Sequence, residues 1–534
     1  MILHRLLPRR LAVGVLAGIA WLAGSVAAAP LVRVDGSRFV DPHGRELILH
    51  GLNIVDKTPA WTDYAWVDEG TYAQLQQWGF NCVRLGFTWA SLEPEPGRYR
   101  AESIEAIRRR VEWAAKHGLY VILDMHQDLF GQRFSDGAPD WATLTDGRPH
   151  VADSKVWSDA YVTSAAVQTA MDNFYANRPG PGGVGLQDRY AAAWREVARH
   201  FAGNPTVVGY DLMNEPFAGS LVPRGMQLHL QQFARETGRA TEAGAAEVAA
   251  QWADPAGRTR ILQQLEDPAL YGRVMDAAED LYQRFEREQL NPFFQRVTTA
   301  IREVDPDHVI FLETNGAGNM GVRTAIEPVR GADGRRDPQQ AYAPHAYDLV
   351  TDTPDVAQAS QGRIDLILRR HEASAARLGL PMILGEWGAY YGNAAVLPSA
   401  HFLCRQFERL RCGDTFWALE RDLATQVVLQ AIRRPYPMEV AGDLRHYGAD
   451  PAARRFECEW TAGPAGGAPT RIYLPAEYAV GTQLVVLPAT LGHELAAVPG
   501  GGGACYLVVT GGQPGETCRV VVSPRLPAKP APTP

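Results

Sequence analysis

The chain has 534 residues and 46% hydrophobic side chains, enough for one large domain with an ample core and a second, smaller domain. Its formal net charge of −8 argues against nucleic acid or an anionic membrane as a partner, but it does not exclude amphiphilic lipids. We expect a soluble monomer that makes only transient contact with lipid surfaces.

The first residues have the pattern of a secretory signal. Arg5, Arg9 and Arg10 precede an apolar run at 11–24, and small residues continue to Ala29. An uncleaved membrane anchor is the alternative, but the apolar run is short for a membrane span. We therefore predict a signal peptide at 1–29 and a secreted or periplasmic mature protein.

Export permits disulfide bonds among the six cysteines, none of which has metal-ligand spacing. Cys82 lies in a strand-like run and is predicted to be a buried free thiol, whereas Cys404 and Cys412 are close enough in sequence to be bridged. Cys505 and Cys518 each begin one arm of an apparent hairpin, which would place them roughly 16 Å apart. Cys458 is therefore the expected partner of one of those two.

Eight short apolar runs alternate with helical patterns between residues 30 and 432. Such alternation predicts a (β/α)8 TIM barrel, an α/β fold whose active site lies at the C-terminal ends of the strands. One helical pattern is carried by Ile104, Ile107, Val111 and Ala114. The predicted strands are Leu47–Val55, Cys82–Phe87, Tyr120–His126, Val207–Glu215, His308–Thr314, Gln340–Tyr347, Pro381–Gly388 and Gly413–Leu419.

Two intervals between these strands are too long for simple crossovers. Residues 127–188 follow the third strand and 217–291 follow the fourth, so both emerge at the mouth of the predicted barrel. The second contains helical, Gln/Glu/Ala-rich segments and is predicted to be a folded lid that shapes substrate entry. A purely scaffolding role is the alternative.

The sequence changes character after residue 432. Short alternating runs separated by Gly- and Pro-rich turns predict a small all-β sandwich domain at 433–525. Residues 526–534 form a Pro/Ala tail without core-forming content and are predicted to be disordered.

Two predicted strands end on a glutamate. Glu215 follows Asn214 at the end of the fourth strand, and Glu386 lies at the end of the seventh. Hydrolysis of a β-glycosidic bond with retention needs such a pair, because one carboxyl protonates the leaving oxygen while the other attacks the sugar. A single strand-end glutamate is more often a cap or a salt-bridge partner.

Other polar and aromatic groups map to the same rim of the barrel. Core packing would explain each of them alone, but it does not readily explain their combination. These residues are Arg84, His126, Asn214, His345, Tyr347 and Trp417.

In this set and order, the chain resembles glycoside hydrolase family 5 of clan A over roughly residues 31 to 432. The resemblance implies that Glu215 is the acid/base and Glu386 the nucleophile. We expect Arg84 and Tyr347 to keep Glu386 ionised. We also expect Asn214 to bind the sugar 2-hydroxyl and Trp417 to lie beneath the reacting sugar ring.

Longer motifs are similar to the endoglycoceramidase branch of that family. They are G-L-N-I-V-D-K at Gly51–Lys57, D-M-H-Q-D-L-F at Asp124–Phe130, P-H-A-Y-D at Pro344–Asp348 and R-P-Y-P at Arg434–Pro437. The resemblance implies cleavage of the glucose–ceramide bond of glycosphingolipids.

Lys57 and Asp128 match sugar-binding positions of that branch, with a structural ion pair or a surface role as the alternative. The chain departs from the branch in its long lid and in Trp387, where a smaller aromatic residue is more usual. Both departures are expected to touch the aglycone and sugar sides of the site. Apolar residues near the mouth could line a groove for lipid tails, although core packing would also account for them. They are Phe130, Phe134, Trp141, Phe217, Leu221 and Met226.

The sequence thus predicts a retaining β-glycosidase that acts on glycosphingolipids without a cofactor or metal. Within enzymes, the alternatives are a β-glucosidase acting on glucosylceramide or a steryl glucoside, and an endo-β-1,4-glucanase. Outside enzymes, the alternative is a carbohydrate-binding protein on a hydrolase scaffold, but a binder has no need of a nucleophile.

Overall fold

The computed structural model describes residues 31–151, 156–353, 355–464 and 467–525. The predicted signal peptide and the predicted disordered tail lie outside these residues. None of the helices within them is both long enough and apolar enough to cross a membrane.

Eight parallel strands form the central barrel, and three short strands precede them: β1 (Arg33–Asp35), β2 (Arg38–Val40) and β3 (Glu46–Leu47). The barrel strands are β4 (His50–Val55), β5 (Cys82–Thr88), β6 (Tyr120–His126), β7 (Val207–Asp211), β8 (Val309–Leu312), β9 (Gln340–Tyr342), β10 (Ile383–Gly388) and β11 (Gly413–Trp417). Their order in the sheet is β10-β11-β4-β5-β6-β7-β8-β9. Isolated bridges from Tyr342 to Met382 and from Ala346 to Trp387 join β9 to β10. The predicted (β/α)8 barrel is confirmed.

Helices surround the barrel and cover the outer faces of its strands. Because side chains also fill the inside, almost every residue of the barrel strands is buried, as expected for a parallel barrel. The helices are α1 (Glu69–Gln77), α2 (Trp89–Leu92), α3 (Ala101–Lys116), α4 (Ala160–Thr163), α5 (Ala165–Tyr175), α6 (Leu186–Phe201), α7 (Val222–Glu236), α8 (Glu242–Ala253), α9 (Pro255–Gln264), α10 (Pro268–Asp276), α11 (Glu279–Phe285), α12 (Asn291–Arg302), α13 (Gln361–Leu378), α14 (Leu397–Leu410) and α15 (Leu429–Ile432).

The helix α3 illustrates how the local pattern determines a buried face. Ile104, Ile107, Val111 and Ala114 recur at helical spacing and are all buried. One connection departs from the expected alternation, because β8 and β9 are joined by an irregular segment with a short 3-10 turn at Gly318–Met320. The eightfold strand–helix alternation predicted from the sequence is therefore wrong at this connection.

The long interval after β7 is a folded lid, as predicted. It contains α7 to α11, and a π-helical turn at Glu286–Leu290 leads into α12. The interval after β6 contains α4 and α5.

The C-terminal region forms two antiparallel sheets, which confirms the predicted sandwich. A short helix, α16 (Ala476–Ala479), accompanies the strands β12 (Tyr436–Val440), β13 (Gly442–Asp450), β14 (Arg455–Ala462), β15 (Thr470–Leu474), β16 (Thr482–Leu487), β17 (Gly492–Ala497), β18 (Cys505–Thr510) and β19 (Thr517–Pro524). The sheet orders are β1-β2-β3-β12-β15-β18-β17 and β13-β14-β19-β16. The three strands that precede the barrel in sequence, β1 to β3, thus belong to the first sheet of the sandwich.

All six cysteines are buried and free, so the expectation of disulfide bonds is wrong, while that of a buried free Cys82 is confirmed. β18 and β19 lie in different sheets, so Cys505 and Cys518 do not begin the two arms of one hairpin. Cys518 faces Trp460 across the β14–β19 pair, two residues from Cys458. Such a diagonal separation, about 7 Å or more between Cα atoms, is beyond ordinary disulfide reach.

Candidate active site

Glu215 and Glu386 converge at the C-terminal ends of the barrel strands. One carboxylate oxygen of each and a ring nitrogen of His345 all lie within 4.8 Å of one another. Retaining glycosidases hold their two carboxyl groups about 5–5.5 Å apart, whereas inverting enzymes leave about 6.5–9.5 Å for a water molecule. The separation is therefore suited to direct attack on a sugar carbon.

Glu386 is held by two donors. Arg84 donates from Nη1 to Oε1 over 2.7 Å, and the Tyr347 hydroxyl donates to Oε2 over 2.9 Å. Burial raises the pKa of Glu386 above its usual value, and the charge of Glu215 adds to this, whereas His345 and Arg84 oppose it. The two donors leave the carboxylate oriented toward the cavity that it lines.

Glu215 has a different environment. Its Oε1 accepts a hydrogen bond from Asn319 Nδ2 and lies 2.9 Å from His345 Nδ1. Its backbone adopts a left-handed φ of 41°, which is uncommon for a residue other than glycine and costs free energy. The surrounding contacts must therefore hold this conformation in place.

Arg84 lies beneath the two glutamates and is almost fully buried. Besides Glu386, it donates to Asp211 Oδ2 at 2.9 Å and to Glu313 Oε1 at 3.0 Å, and Asp124 Oδ1 lies 3.1 Å from Nη2. Burial alone would lower the pKa of Arg84, but these carboxylates raise it well above its usual value. A permanent positive charge thus lies below the reacting groups.

Asn214 and His126 are fixed by neighbours that leave little freedom. Asn214 accepts from Arg84 over 3.1 Å and donates to the carbonyl oxygen of Gln127 over 3.1 Å. His126 Nδ1 lies 2.8 Å from Asp124 Oδ2, and its ring stacks on Trp417 with the centroids 5.4 Å apart.

Lys57 and Asp128 form an ion pair at the wall of the site. The Lys57 ammonium also lies 3.6 Å from Asp136 and 5.0 Å from the centre of the Trp417 ring. Burial and the neighbouring Asp128 raise the pKa of Asp136 to about 7. Lys57 and Asp128 both line the cavity, so an ion pair exists at the position where the sequence predicts sugar binding.

A cavity of about 310 Å³ leads from these residues to the lid. Its polar end is lined by Lys57, His126, Asp128, Asn214, Glu215, Tyr347, Glu386 and Trp417. Its opposite wall is mostly apolar and comes from the loop after β7 and from the lid helices: Phe217, Val222, Met226, Leu230, Phe233, Ile261, Leu265, Val274 and Met275.

The structure brings all ten predicted site residues together, with Arg84 and His345 buried beneath the cavity. Of the six apolar residues predicted to line a lipid groove, Phe217 and Met226 line the cavity and the other four do not. Phe130, for example, is buried against Phe174.

Trp387 does not touch the site, contrary to the expectation from its position after Glu386. It is fully buried, packs on Phe407 and Phe416, and donates from Nε1 to Asp414. Side chains of successive strand residues point to opposite faces, so Trp387 faces the helices while Glu386 faces the barrel interior.

Sequence reasoning missed several polar residues of this site. Glu313 is the penultimate residue of the fifth predicted strand, so the rule that selected Glu215 and Glu386 could also have selected it. Asp124 lies inside β6 and Asp211 is the last residue of β7, and both contact Arg84 in the barrel interior. Asn319 lies in an irregular segment, and no local pattern indicates its role.

Two groups of residues in the described part of the chain could offer ligands to a cation. They are His126 with Asp128 and Asp136, and Glu215 with His345 and Glu386. In the first, the Lys57 ammonium already contacts both aspartates. In the second, hydrogen bonds from Arg84, Tyr347 and Asn319 already engage the carboxylate oxygens.

Comparison with family models gives two adjacent matches. Residues 40–422 match the model described as "Cellulase (glycosyl hydrolase family 5)". Residues 434–522 match the "Glycoside hydrolase family 5 C-terminal domain". Together they span both the barrel and the sandwich.

Curated relatives point in the same direction. An endoglycoceramidase of Hydra vulgaris is 34% identical over 218 residues, which cover 36% of this chain and 41% of that protein. The match thus spans less than half of that relative's length. Endoglycoceramidase I of Rhodococcus hoagii is 30% identical over 430 residues, covering 77% of this chain and 73% of the relative.

Solved structures of endo-glycoceramidase II from Rhodococcus sp. have a similar fold. Its lactosyl-enzyme intermediate superposes with a TM-score of 0.68 at 26% identity and covers 92% of this chain and 100% of that one. Its complex with ganglioside GM3 gives a TM-score of 0.69 at 25% identity, with the same coverage.

Proposed function

Because the chain belongs to glycoside hydrolase family 5, we propose that it hydrolyses the bond between the glycan and the ceramide of glycosphingolipids, with retention of configuration. The observation that carries the proposal is a glutamate pair in a cavity whose wall from the lid is mostly apolar. An enzyme that cleaves polysaccharides would need polar subsites on both sides of the cleaved bond, whereas here the wall contributed by the lid is mostly apolar.

The first step assigns different roles to the two glutamates. Glu386 attacks the anomeric carbon, and Glu215 gives its proton to the leaving ceramide oxygen. In the second step Glu215 takes a proton from water, and the resulting hydroxide displaces Glu386 from the sugar. The lactosyl-enzyme intermediate solved for the Rhodococcus relative supports this covalent route.

Neighbouring side chains prepare Glu386 for attack. Arg84 and Tyr347 each bind one of its oxygens, which stabilises the ionised form against the cost of burial. Asn214 and His126 lie where they can bind the sugar hydroxyls, and Trp417 offers its ring to the sugar face.

The apolar wall suits the lipid. Side chains of Met226, Leu230 and Phe233 recur along one face of α7 and line the same cavity as the glutamates. Burying acyl or sphingoid methylene groups there contributes about 0.8 kcal/mol for each group.

The N-terminal sequence pattern supports export, so the proposed site of action is outside the cell or in the periplasm.

Purified protein incubated with lactosylceramide, ganglioside, glucosylceramide and carboxymethylcellulose tests the proposal. Release of intact oligosaccharide and ceramide is the expected result. Glucose released from glucosylceramide alone would indicate a β-glucosidase, and shortening of carboxymethylcellulose would indicate an endoglucanase. Glu386→Gln serves as the inactive control for contaminating hydrolases.

A further inference from the structure

Glu313 is a third glutamate beneath the cavity, and its side chain is fully buried at the end of β8. Its Oε2 accepts the backbone N–H of Glu215 over 2.8 Å, and its Oε1 accepts from Arg84 Nη2 over 3.0 Å. The same Oε1 lies 3.3 Å from His345 Nε2. This carboxylate therefore contacts the main chain of Glu215 and also the histidine that contacts its side chain.

His345 bridges the two carboxylates. Its Nδ1 lies 2.9 Å from Glu215 Oε1, while its Nε2 faces Glu313. An ionised carboxylate can only accept hydrogen bonds, so each of the two nitrogens is suited to carry a proton. Burial alone would lower the pKa of His345, but Glu313 and Glu386 raise it well above the usual value.

An imidazolium so close to Glu215 has a consequence for acid catalysis. A positive charge favours the ionised form of a neighbouring carboxyl, whereas the first step needs Glu215 to hold a proton. A carboxylate beside the far nitrogen of the same ring opposes that effect with its negative charge. Glu313 supplies this charge and also holds the strained backbone of Glu215.

We propose that Glu313 is a positioning residue for the acid/base step, which balances the charge of His345 and fixes the main chain of Glu215. The inference rests on the retaining chemistry proposed above but not on the identity of the lipid. Glu313 touches neither substrate nor the reacting atoms, and it acts through His345 and through the backbone.

Other titratable groups also face His345 and share its electrostatic environment. Glu386 Oε2 lies 3.5 Å from Nδ1, the Tyr347 ring centroid lies 6.3 Å away, and His371 Nε2 lies 3.1 Å from the His345 carbonyl oxygen. Asp211 lies close enough for its ionisation to be affected by His345. A substitution at Glu313 leaves all of these groups in place.

Glu313→Gln is the informative variant, since the amide oxygen can still accept the Glu215 N–H while the charge is lost. Glu286→Gln is the matched control. Glu286 is also fully buried, and it accepts from Asn315 and Thr324 without contacting Glu215 or His345. It controls for the general cost of replacing a buried glutamate.

Aryl β-lactosides separate the acid step from the rest of the reaction, because a 2,4-dinitrophenyl group leaves without a proton and a phenyl group does not. For Glu313→Gln we expect kcat/KM to fall about tenfold or more on the phenyl lactoside but only a few-fold on the dinitrophenyl lactoside. We also expect the basic limb of the pH–activity profile to shift to lower pH by about one unit. Glu286→Gln should move neither.

An equal loss on both lactosides, or an unchanged basic limb, would overturn the proposal, as would the same shift in Glu286→Gln. Spectra of protein with 15N-labelled histidine add a readout that needs no turnover, with His345 assigned from a His345→Gln spectrum. The His345 ring should lose a proton at lower pH in Glu313→Gln than in the wild type. An unchanged titration would also overturn the proposal, whereas cleavage of aryl lactosides but not lactosylceramide would contradict only the proposed lipid substrate.

Discussion

Trp387 Nε1 donates a hydrogen bond of 3.1 Å to Asp414 Oδ2, behind the strand that carries Glu386. The other oxygen of Asp414 accepts from Arg434 over 2.6 Å and lies 3.0 Å from His50 Nδ1. Arg434 lies just before β12, the first strand after the barrel. A single buried carboxylate therefore links the strand of the proposed nucleophile to the start of the sandwich.

Asp414→Asn should destabilise the whole protein. The change leaves the buried Arg434 guanidinium without its charged partner, and breaking such a pair typically costs about 3–5 kcal/mol. Urea unfolding followed by tryptophan fluorescence measures the loss. Asp443→Asn is the control, because Asp443 pairs with Arg38 at the surface and its loss should cost less than about 1 kcal/mol. Equal losses of stability in the two variants would show that the buried Asp414–Arg434 pair contributes no more than a surface pair.

The same carboxylate predicts how stability depends on acid. Burial alone would raise the pKa of Asp414, but Arg434 and His50 lower it to about 2. A lowered pKa contributes stability that is complete above the unfolded value near pH 4 and is lost as the pH falls through about 2. The contribution is about 2 kcal/mol. The difference in unfolding free energy between wild type and Asp414→Asn should therefore shrink across this window, and a constant difference would contradict the assignment.

Azide rescue should distinguish the two catalytic glutamates. We expect Glu215→Ala and Glu386→Ala each to lower kcat by more than about a thousandfold on phenyl lactoside, because each removes a group that acts in the transition state. With 2,4-dinitrophenyl lactoside, azide should restore turnover of Glu215→Ala as the β-glycosyl azide and of Glu386→Ala as the α-glycosyl azide. Nuclear magnetic resonance of the product identifies the anomer. Near-normal rates in either variant, or the opposite anomers, would refute the assigned roles.

Tyr347→Phe tests how the proposed nucleophile is kept ionised. The change removes the hydroxyl that donates to Glu386 Oε2, and a hydrogen bond to a charged group contributes about 1.5–3 kcal/mol. Burial already raises the pKa of Glu386, so loss of this donor should raise it further. Activity needs the ionised form of Glu386. On acidification, the variant should therefore lose activity at a higher pH than the wild type does. The acidic limb of the kcat/KM profile measures this shift, and an unmoved limb would show that Tyr347 does not stabilise the charge.

Met226→Trp should narrow the apolar end of the cavity. Its larger side chain would take space that the proposal assigns to the lipid, so kcat/KM for lactosylceramide should fall about tenfold or more while an aryl lactoside is little affected. Gln227→Trp introduces the same ring on the exposed side of α7 and should change neither rate. A similar loss on both substrates in Met226→Trp would point to general damage rather than to lipid exclusion.

Local sequence patterns were sufficient for the elements whose period or composition is distinctive. The eight barrel strands and the buried face of α3 follow from apolar runs and helical spacing, since a parallel barrel covers both faces of each strand. The irregular β8–β9 connection and the assignment of β18 and β19 to different sheets depend on pairing between distant segments. Local patterns carry no information about such pairing.

The sequence by itself determined the fold class, the order of polar residues at the strand ends and the choice of Glu215 and Glu386, because a strand fixes where its last side chains emerge. The alternation of side chains along β10 also predicts that Trp387 points outward from the barrel. Only the tertiary structure decided that the two carboxylates meet within 4.8 Å, that Glu313 contacts both His345 and the Glu215 backbone, and that one cavity joins them to the lid. These relationships depend on barrel closure and on the packing of helices distant in sequence.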